Sequence, residues 1–185
     1  MNQIKPLFDE IAIANKITDM AMTLNHDCLG TKNIVLICIL KGSFIFAADL
    51  IRKLNFDFEI EFIEISSYGN KIESGKVQLI SEIKINLTDK NIFIIEDIID
   101  TGNTLNFLEL KLQEKGAKNI NYITLLLKHE KHQTKSPIKY FGFKINDVFV
   151  AGYGMDYKGK YRNLPCIIDV NDIQSDLTAS LNFSD

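Results

Sequence analysis

The chain has 185 residues, 46% hydrophobic and 24% charged, which is enough for the core of one domain with at most a small appendage. Its formal net charge of −3 excludes a global positive field that would attract nucleic acid. The three cysteines are odd in number and widely spaced, which excludes a disulfide framework and a zinc pattern and favours a reducing cytoplasm.

The first predicted element is an amphipathic helix at the N-terminus. Apolar residues recur there every three or four positions, from Ile4 through Ile11 and Ile17 to Leu24, and the pattern ends near residues 25–30. Charged residues interrupt this segment, so we do not expect a signal peptide. No uncharged apolar run in the sequence reaches the ~18 residues that a membrane-spanning helix needs.

A buried strand and a second helix are predicted next. Residues 33–40 (NIVLICIL) are a continuous, largely β-branched run, which is typical of a strand covered on both faces. Lys41 and Gly42 end this run. Residues 44–54 are then predicted to form a helix, with Ser43 as its N-cap.

The following segment is predicted to flank or cap the sheet. Residues 56–65 alternate in part between apolar and polar positions and indicate a half-buried strand. Residues 66–76 (SSYGNKIESGK) are polar and contain two glycines, so they are predicted to be a mobile loop. Residues 77–83 are predicted to be another strand.

A strand and a helix with an acidic connection follow. Residues 91–96 are an apolar strand pattern that runs directly into carboxylates. Residues 104–115 carry leucines at helical spacing, and Gly116 stands where a C-terminal glycine ends a helix. Alternation of strands and helices with short connections indicates a single α/β domain with a right-handed, parallel sheet.

The last third of the chain is predicted to be mostly strand and loop. Residues 119–127 (NINYITLLL) form another strand buried on both faces, and residues 129–137 a polar loop. Residues 139–143, 147–151 and 166–170 are predicted to be short strands, which are expected to flank or cap the sheet.

The stretch after residue 95 indicates the chemistry of a site. Residues 101–104 (TGNT) open a helix, whose free N–H groups and dipole attract an anion, and Gly102 lets a phosphate approach the backbone. Glu96 and Asp97 supply acceptors for two sugar hydroxyls, and Asp100 stands within reach of a group attached to that sugar. The pattern favours a ribose 5-phosphate site at the carboxyl end of a parallel strand.

The alternative is a surface turn with solvated acids. Acids in the first turn of a helix are common because they interact favourably with its dipole. In that case Thr101 or Thr104 would cap the helix.

Several motifs resemble, in order and spacing, those of the type I phosphoribosyltransferases, and in particular their hypoxanthine–guanine branch. The central motif is Glu96-Asp97, two apolar residues, and Asp100-Thr101-Gly102-Asn103-Thr104. The others are LKGS at 40–43, SSYG at 66–69, Lys128 after three leucines, FVAGYG at 149–154, and DY at 156–157 with Arg162. The resemblance runs from about residue 34 to about residue 168.

The resemblance implies a fold and an activity. The fold would be the type I phosphoribosyltransferase fold, a mostly parallel sheet flanked by helices, in one domain (1–185) with a hood formed by the N-terminal and 139–170 segments. The activity would be Mg²⁺-dependent transfer of 5-phosphoribosyl from phosphoribosyl pyrophosphate to N9 of hypoxanthine or guanine, giving IMP or GMP and pyrophosphate in purine salvage. It also implies a cytoplasmic homodimer or homotetramer without nucleic-acid or membrane partners.

The resemblance also implies the residues that contact the purine. Asp100 would take or share the purine N7 proton as the general base. Lys128 would donate to the purine O6 and select 6-oxopurines, Phe149 would stack on the ring, and Val150 would offer its backbone to the purine edge. Asp156, on the purine side, would carry a second Mg²⁺ on the pyrophosphate.

The phosphoribosyl pyrophosphate site would have three implied parts. Thr101, Gly102, Asn103 and Thr104 would hold the 5′-phosphate. Glu96 and Asp97 would hold the ribose hydroxyls and the first Mg²⁺. The pyrophosphate would be held by Arg162, by Leu40, Lys41 and Gly42 with a Leu40–Lys41 cis peptide, and by Ser67 and Tyr68 in a loop that closes over the site.

Other functions stay open at this point. A regulatory, nucleotide-binding protein on the same fold should show a basic stripe or an added segment, and the chain shows neither. An enzyme of the same class could use xanthine or a pyrimidine; Lys128 and Phe149 argue for a 6-oxopurine, but the choice among hypoxanthine, guanine and xanthine depends on fine contacts. A dinucleotide-binding domain is disfavoured because no Gly-x-Gly-x-x-Gly follows the first strand.

Overall fold

The computed structural model describes residues 5–68, 76–128, 133, 134, 136 and 138–172. In chain order its elements are α1 (Glu10–Asp27), β1 (Ile34–Leu40), α2 (Phe44–Ile51), β2 (Phe58–Tyr68), β3 (Lys76–Leu79), β4 (Asn91–Ile99), α3 (Asn103–Glu114), β5 (Asn119–Lys128), β6 (Tyr140–Ile145), β7 (Val150–Ala151) and β8 (Ile168–Asp169). Among the described residues, no helix is both long and apolar enough to cross a membrane.

Six strands form one mixed sheet in the order β3-β2-β1-β4-β5-β6. Every neighbouring pair is parallel except β2 and β3, which are antiparallel. The predicted parallel α/β architecture is therefore confirmed. Strands β7 and β8 form a separate antiparallel ribbon, and Phe8 before α1 bridges to Ile167 beside it.

The two faces of the sheet are covered by different helices. Alternate residues of β1 point to opposite faces: Leu36 and Cys38 join a core with α1 and α2, whereas Val35 and Ile37 join a core with α3. This double burial explains why the sequence of β1 is continuously apolar rather than alternating. Burying one Val, Ile or Leu side chain contributes about 1.5–3 kcal/mol, so this strand anchors both cores.

The parallel strands bring three connections to one edge of the sheet. β1 ends at Leu40, β4 at Ile99 and β5 at Lys128, and the register pairs Ile99 with Leu127. Because the carboxyl ends of neighbouring parallel strands lie together, the residues that follow them converge although they are distant in sequence.

The predictions for the flanking strands were wrong in three respects. Residues 66–68 continue β2 and pair with β3 instead of belonging to a loop. β2 and β3 lie in the main sheet rather than capping it, since parallel pairing with β1 satisfies the backbone of β2. β6, inside the segment 139–170 expected to form a hood, also pairs with the main sheet through β5.

The predicted helix ends also needed correction. α1 begins at Glu10, because Asp9 caps it by accepting a 2.7 Å hydrogen bond from the Ala12 amide. Ser43 stands before α2 but does not cap it with its side chain. Its hydroxyl donates instead to the Ile39 carbonyl, which satisfies the end of β1. The predicted terminal Gly116 is confirmed by its φ of +91°.

Candidate active site

A cleft of about 360 Å³ opens at the carboxyl edge of the sheet. Its lining comprises Lys41, Gly42, Glu96, Asp97, Ile98, Asp100, Lys128, Val148, Phe149, Val150, Met155, Asp156 and Arg162. Apart from Ile98, Val148 and Met155, each of these residues is one that the sequence analysis assigns to the site. The apolar three carry no sequence signal that would distinguish them from core residues.

A smaller cavity of about 90 Å³ adjoins the cleft around residues 101–105. Gly102 is the N-cap of α3 in the left-handed region (φ +83°), and no described side chain caps the helix. The Asn103 amide lies 3.4 Å from the Thr101 hydroxyl oxygen, which is a long contact. Neither Thr101 nor Thr104 therefore caps α3 with a normal side-chain hydrogen bond, and the start of the helix lines the cavity, where its N–H groups and dipole would favour an anion.

The turn at residues 101–102 and the first turn of α3 contact residues 133 and 134, which the sequence analysis treats only as part of a polar loop. The Gln133 amide donates to the Thr101 carbonyl at 2.9 Å, and the Asn106 side chain donates to the Gln133 carbonyl at 2.8 Å. A Cβ on Gly102 would lie only 2.7 Å from the Thr134 methyl group. Glycine at 102 thus serves both the positive φ and the close packing of this segment.

Glu96 and Asp97 form a coupled carboxyl pair at the end of β4. Burial, followed by the charge of Asp97, raises the pKa of Glu96 well above its usual value. Burial also raises the pKa of Asp97. Hydrogen bonds with Glu96 and from the Ile98 amide, the latter at 2.9 Å, lower that pKa but do not cancel the effect of burial. Burial of two adjacent carboxyls thus disfavours ionisation of both, and the charge of Asp97 adds to this effect on Glu96.

The turn after β1 packs closely on that pair. The Leu40–Lys41 peptide bond is cis, as the sequence resemblance implies. A Cβ on Gly42 would lie 1.7 Å from the Asp97 carboxylate, so any larger residue there would displace that carboxylate. The Lys41 ammonium lies 3.5 Å from Glu64 Oε1, and the Lys41 side chain is largely exposed.

Lys128 is held at the end of β5 between two carboxylates. Its side chain is 5% exposed, and its ammonium donates to Asp100 Oδ2 at 3.0 Å and to Asp147 Oδ1 at 3.1 Å. The other oxygen of Asp100, Oδ1, is buried without a hydrogen-bond partner among the described residues. Asp147 is a neighbour of the site that sequence reasoning missed, since nothing in its local sequence marks it.

An aromatic ring stands next to this lysine. Phe149 is 74% exposed, although it is large and apolar, and the Lys128 ammonium lies 5.4 Å from its ring centroid. Val150, the first residue of β7, is half-buried beside it. An exposed ring on a cleft wall is suited to stacking on a planar ligand.

Asp156 and Arg162 form an ion pair in the lining of the same cleft. The two groups are 2.6 Å apart, and the guanidinium also donates to the Gly154 carbonyl at 2.7 Å. The Gly159 amide donates to the second Asp156 oxygen at 2.7 Å. A phosphate ligand of Arg162 would have to share or replace this partner.

Ser67 and Tyr68 have a defined backbone at the end of β2, where Tyr68 pairs with Lys76. Their side chains lie outside the described residues, as do residues 69–75 of the expected closing loop. Leu40 occupies the last position of β1 and is half-buried.

The carboxylates of the cleft could bind a metal ion together with oxygen atoms of a substrate. No group of three or more potential metal-ligating side chains occurs in the described parts of the chain. Glu96 Oε2 is nevertheless buried without a hydrogen-bond partner there, and Asp97 and Asp156 line the same cleft. Mg²⁺ favours such sites, because it binds through one or two carboxylates together with substrate phosphates.

The chain is similar to known proteins over most of its length. A family model described as a phosphoribosyl transferase domain matches residues 3–158. The hypoxanthine-guanine phosphoribosyltransferase of Dictyostelium discoideum is 35% identical over 170 residues, which cover 90% of this chain and 94% of that protein. The protein of the same description from Staphylococcus aureus is 40% identical over 162 residues, covering 87% and 90% of the two chains.

A solved structure extends the similarity to three dimensions. The crystal structure of a hypoxanthine-guanine phosphoribosyltransferase from Bacillus anthracis superposes with a TM-score of 0.81 at 42% identity. The match covers 90% of this chain and 98% of that one.

Proposed function

This chain belongs to the phosphoribosyltransferase family and has the type I phosphoribosyltransferase fold, and we propose that it transfers a 5-phosphoribosyl group from phosphoribosyl pyrophosphate to N9 of hypoxanthine or guanine. The products would be IMP or GMP and pyrophosphate, a reaction of purine salvage. Its relatives of similar length carry that activity in their names.

One observation carries the choice of a 6-oxopurine. A buried ammonium, Lys128, points into the cleft 5.4 Å from the ring centroid of the exposed Phe149. A planar base stacked on Phe149 would place an oxo group near a cation that can only donate, which favours O6 over the amino group of adenine. The cavity at the start of α3 adjoins Asp100, which supports binding of the 5′-phosphate of the ribose there.

Asp100 is proposed as the general base. Its Oδ2 is held by Lys128, while its buried Oδ1 has no partner among the described residues and can accept the N7 proton of the purine. A positioned base of this kind contributes about 10²–10⁴-fold to the rate. After transfer, the neutral Asp100 side chain retains its hydrogen bond from Lys128.

The phosphoribosyl end is proposed to bind along residues 96–104. The N–H groups at the start of α3 would hold the 5′-phosphate, and Glu96 and Asp97 would accept hydrogen bonds from the ribose hydroxyls. Burial raises the pKa of Glu96 in this pair, and a cationic or hydrogen-bonding partner would lower that pKa again by favouring the ionised form.

The pyrophosphate is proposed to lie between the turn at Lys41 and the wall with Arg162. Arg162 presents a planar fork to phosphate oxygens, and the backbone at Gly42 lies open to the cleft. Mg²⁺, for which Glu96 and Asp97 on one side and Asp156 on the other would be ligands, supplies charge neutralisation of the leaving group when bound. Closure of the loop containing Ser67 and Tyr68 would exclude water from a cation-like ribose.

A coupled assay with hypoxanthine, guanine, xanthine and adenine, with and without Mg²⁺, tests the proposal. We expect Mg²⁺-dependent turnover of hypoxanthine and guanine and none of adenine. Turnover of xanthine alone would indicate a xanthine-specific enzyme. Absence of turnover with every base, with nucleotide binding retained, would indicate a regulatory protein on this fold.

Assembly, location and the hood are proposed on family grounds. We expect a homodimer or homotetramer in the cytoplasm, where the free thiols of Cys28, Cys38 and Cys166 would stay reduced. We also interpret the ribbon β7–β8, together with the segment before α1 that bridges to it, as a hood within one domain. Light scattering at micromolar concentration would give the mass of the assembly.

A further inference from the structure

We propose that Asp147 is a positioning residue for purine use: it is the standing counterion that keeps the Lys128 ammonium aimed at the base while Asp100 changes its charge. The proposal rests on the proposed function of this site. It adds a residue that no sequence motif or resemblance assigns to the reaction.

The geometry gives Lys128 two carboxylate partners with different surroundings. Asp100 follows β4 and lines the cleft, whereas Asp147 lies in the turn between β6 and β7, two residues before Phe149 in the chain. The distances from the ammonium are nearly equal, 3.0 Å to Asp100 and 3.1 Å to Asp147. An ammonium has three donors, so both acids can be held while the third donor remains for a purine oxygen.

Charge balance during the reaction assigns the two acids different roles. Before transfer, Lys128 is neutralised by Asp100 and Asp147 together. When Asp100 accepts the N7 proton, the bond from N7 to hydrogen breaks, the Asp100 oxygen–hydrogen bond forms, and Asp100 loses its negative charge. The Lys128 side chain is only 5% exposed, and a buried cation without a counterion is strongly destabilised. Asp147 would remain beside the ammonium as its second carboxylate and prevent this.

The placement of Asp147 also fixes the direction of the lysine side chain. The side chain of Asp147 is 50% exposed, so it lies at the protein surface. Its attraction draws the ammonium toward Phe149 and away from a position in which Asp100 alone would hold it. Without Asp147, we expect Lys128 to turn toward Asp100 and to cover the oxygen that should receive the purine proton.

The test compares Asp147→Asn with wild type in hypoxanthine kinetics. We expect kcat/KM for hypoxanthine to fall about 10- to 100-fold, the range for loss of a close, partly buried charge partner, while KM for phosphoribosyl pyrophosphate changes less than about twofold, since that ligand does not contact Lys128. Asp147→Glu, which keeps the charge, should recover most of the loss. Asp89→Asn is the matched control, because Asp89 is an exposed turn aspartate paired with Lys118 at 3.7 Å.

A double-mutant cycle separates positioning from a general structural role. In a Lys128→Met background, Asp147→Asn should change kcat/KM for hypoxanthine less than about twofold, because its effect acts through the lysine. Equal losses in both backgrounds, or a rise in both substrates' KM with a lower melting temperature, would overturn the proposal. Wild-type-like kinetics of Asp147→Asn would also overturn it. Failure of the wild-type enzyme to use hypoxanthine would instead refute the proposed function.

Discussion

The two halves of the cleft differ in how their polar groups are satisfied. The proposed phosphoribosyl half, residues 96–104, comes from one continuous stretch and contains groups without hydrogen-bond partners among the described residues: buried Glu96 Oε2, buried Asp100 Oδ1 and the uncapped start of α3. The purine and pyrophosphate half comes from distant segments and contains paired charges, Lys128 with two acids and Arg162 with Asp156.

This difference indicates how each half meets its ligand. Unsatisfied groups gain hydrogen bonds when a phosphate or sugar arrives, so that half gains affinity directly. Paired ions must share or exchange partners, so the other half is more sensitive to the removal of one member of a pair. Asp100 belongs to both halves: its Oδ1 has no hydrogen-bond partner among the described residues, and its Oδ2 accepts a hydrogen bond from Lys128.

Replacement of Asp100 should therefore have the largest effect. We expect Asp100→Asn to lower kcat about 10²–10⁴-fold, because an amide cannot accept the purine proton. KM for phosphoribosyl pyrophosphate should stay within about threefold, since the phosphate and ribose contacts remain. Steady-state kinetics with Asp89→Asn as control measure both constants. Turnover close to wild type would remove Asp100 as the general base.

Lys128→Ala tests whether the paired half acts on the base alone. We expect kcat/KM for hypoxanthine to fall about 100-fold, equivalent to about 3 kcal/mol, because the oxygen donor is lost and two carboxylates are left facing each other. Binding of phosphoribosyl pyrophosphate, measured by calorimetry, should be spared. The control is Lys111→Ala, whose ammonium pairs with Glu114 on the exposed side of α3. An unchanged kcat/KM would exclude Lys128 from the site.

Gly154→Ala tests the packing that joins the two halves. A Cβ there would lie 2.2 Å from the Gly42 carbonyl, at a φ of +99°, and Gly42 in turn contacts Asp97. We expect the free energy of unfolding in urea to fall by about 2–3 kcal/mol from crowding and backbone strain together. Gly159→Ala, with a φ of +77° and no atom within 4 Å, should lose only the strain part, about 1 kcal/mol. Equal losses of stability in Gly154→Ala and Gly159→Ala would show that the close approach of Gly154 to the Gly42 carbonyl does not contribute.

Glu96→Gln should have the smallest effect of these variants, and it should raise the free energy of unfolding instead of lowering it. The pKa of Glu96 is raised in the folded protein, so folded wild type binds a proton that the unfolded chain has lost. Wild-type stability should therefore fall as pH rises from the ordinary glutamate pKa through the raised one. The variant should lack this slope and gain roughly 1 kcal/mol at pH 8, although its use of phosphoribosyl pyrophosphate weakens. Urea unfolding at pH 5 and 8 checks the sign; a steeper slope in the variant would contradict it.

The sequence was most informative where structure is local. The double-sided apolar pattern of residues 33–40 and 119–127 predicted central parallel strands, and the glycine at 116 predicted a helix end, because burial and backbone conformation leave marks on adjacent residues. Ser43 was misread for the same reason: its local pattern fits a cap, but its hydroxyl donates to the Ile39 carbonyl and accepts no hydrogen bond from the first turn of α2. Residues 66–68 looked like loop because a polar strand needs a partner to be identified.

The local arrangement of residues 96–104 follows from the sequence alone, since one strand, one turn and one helix start place them through short-range geometry. Only the tertiary structure decided which groups face one another across the cleft. Asp147 meets Lys128, and Gly154 meets Gly42, because the sheet order and the β7–β8 ribbon bring distant segments together. Such contacts depend on through-space distance and on burial, neither of which is written in the spacing of residues along the chain.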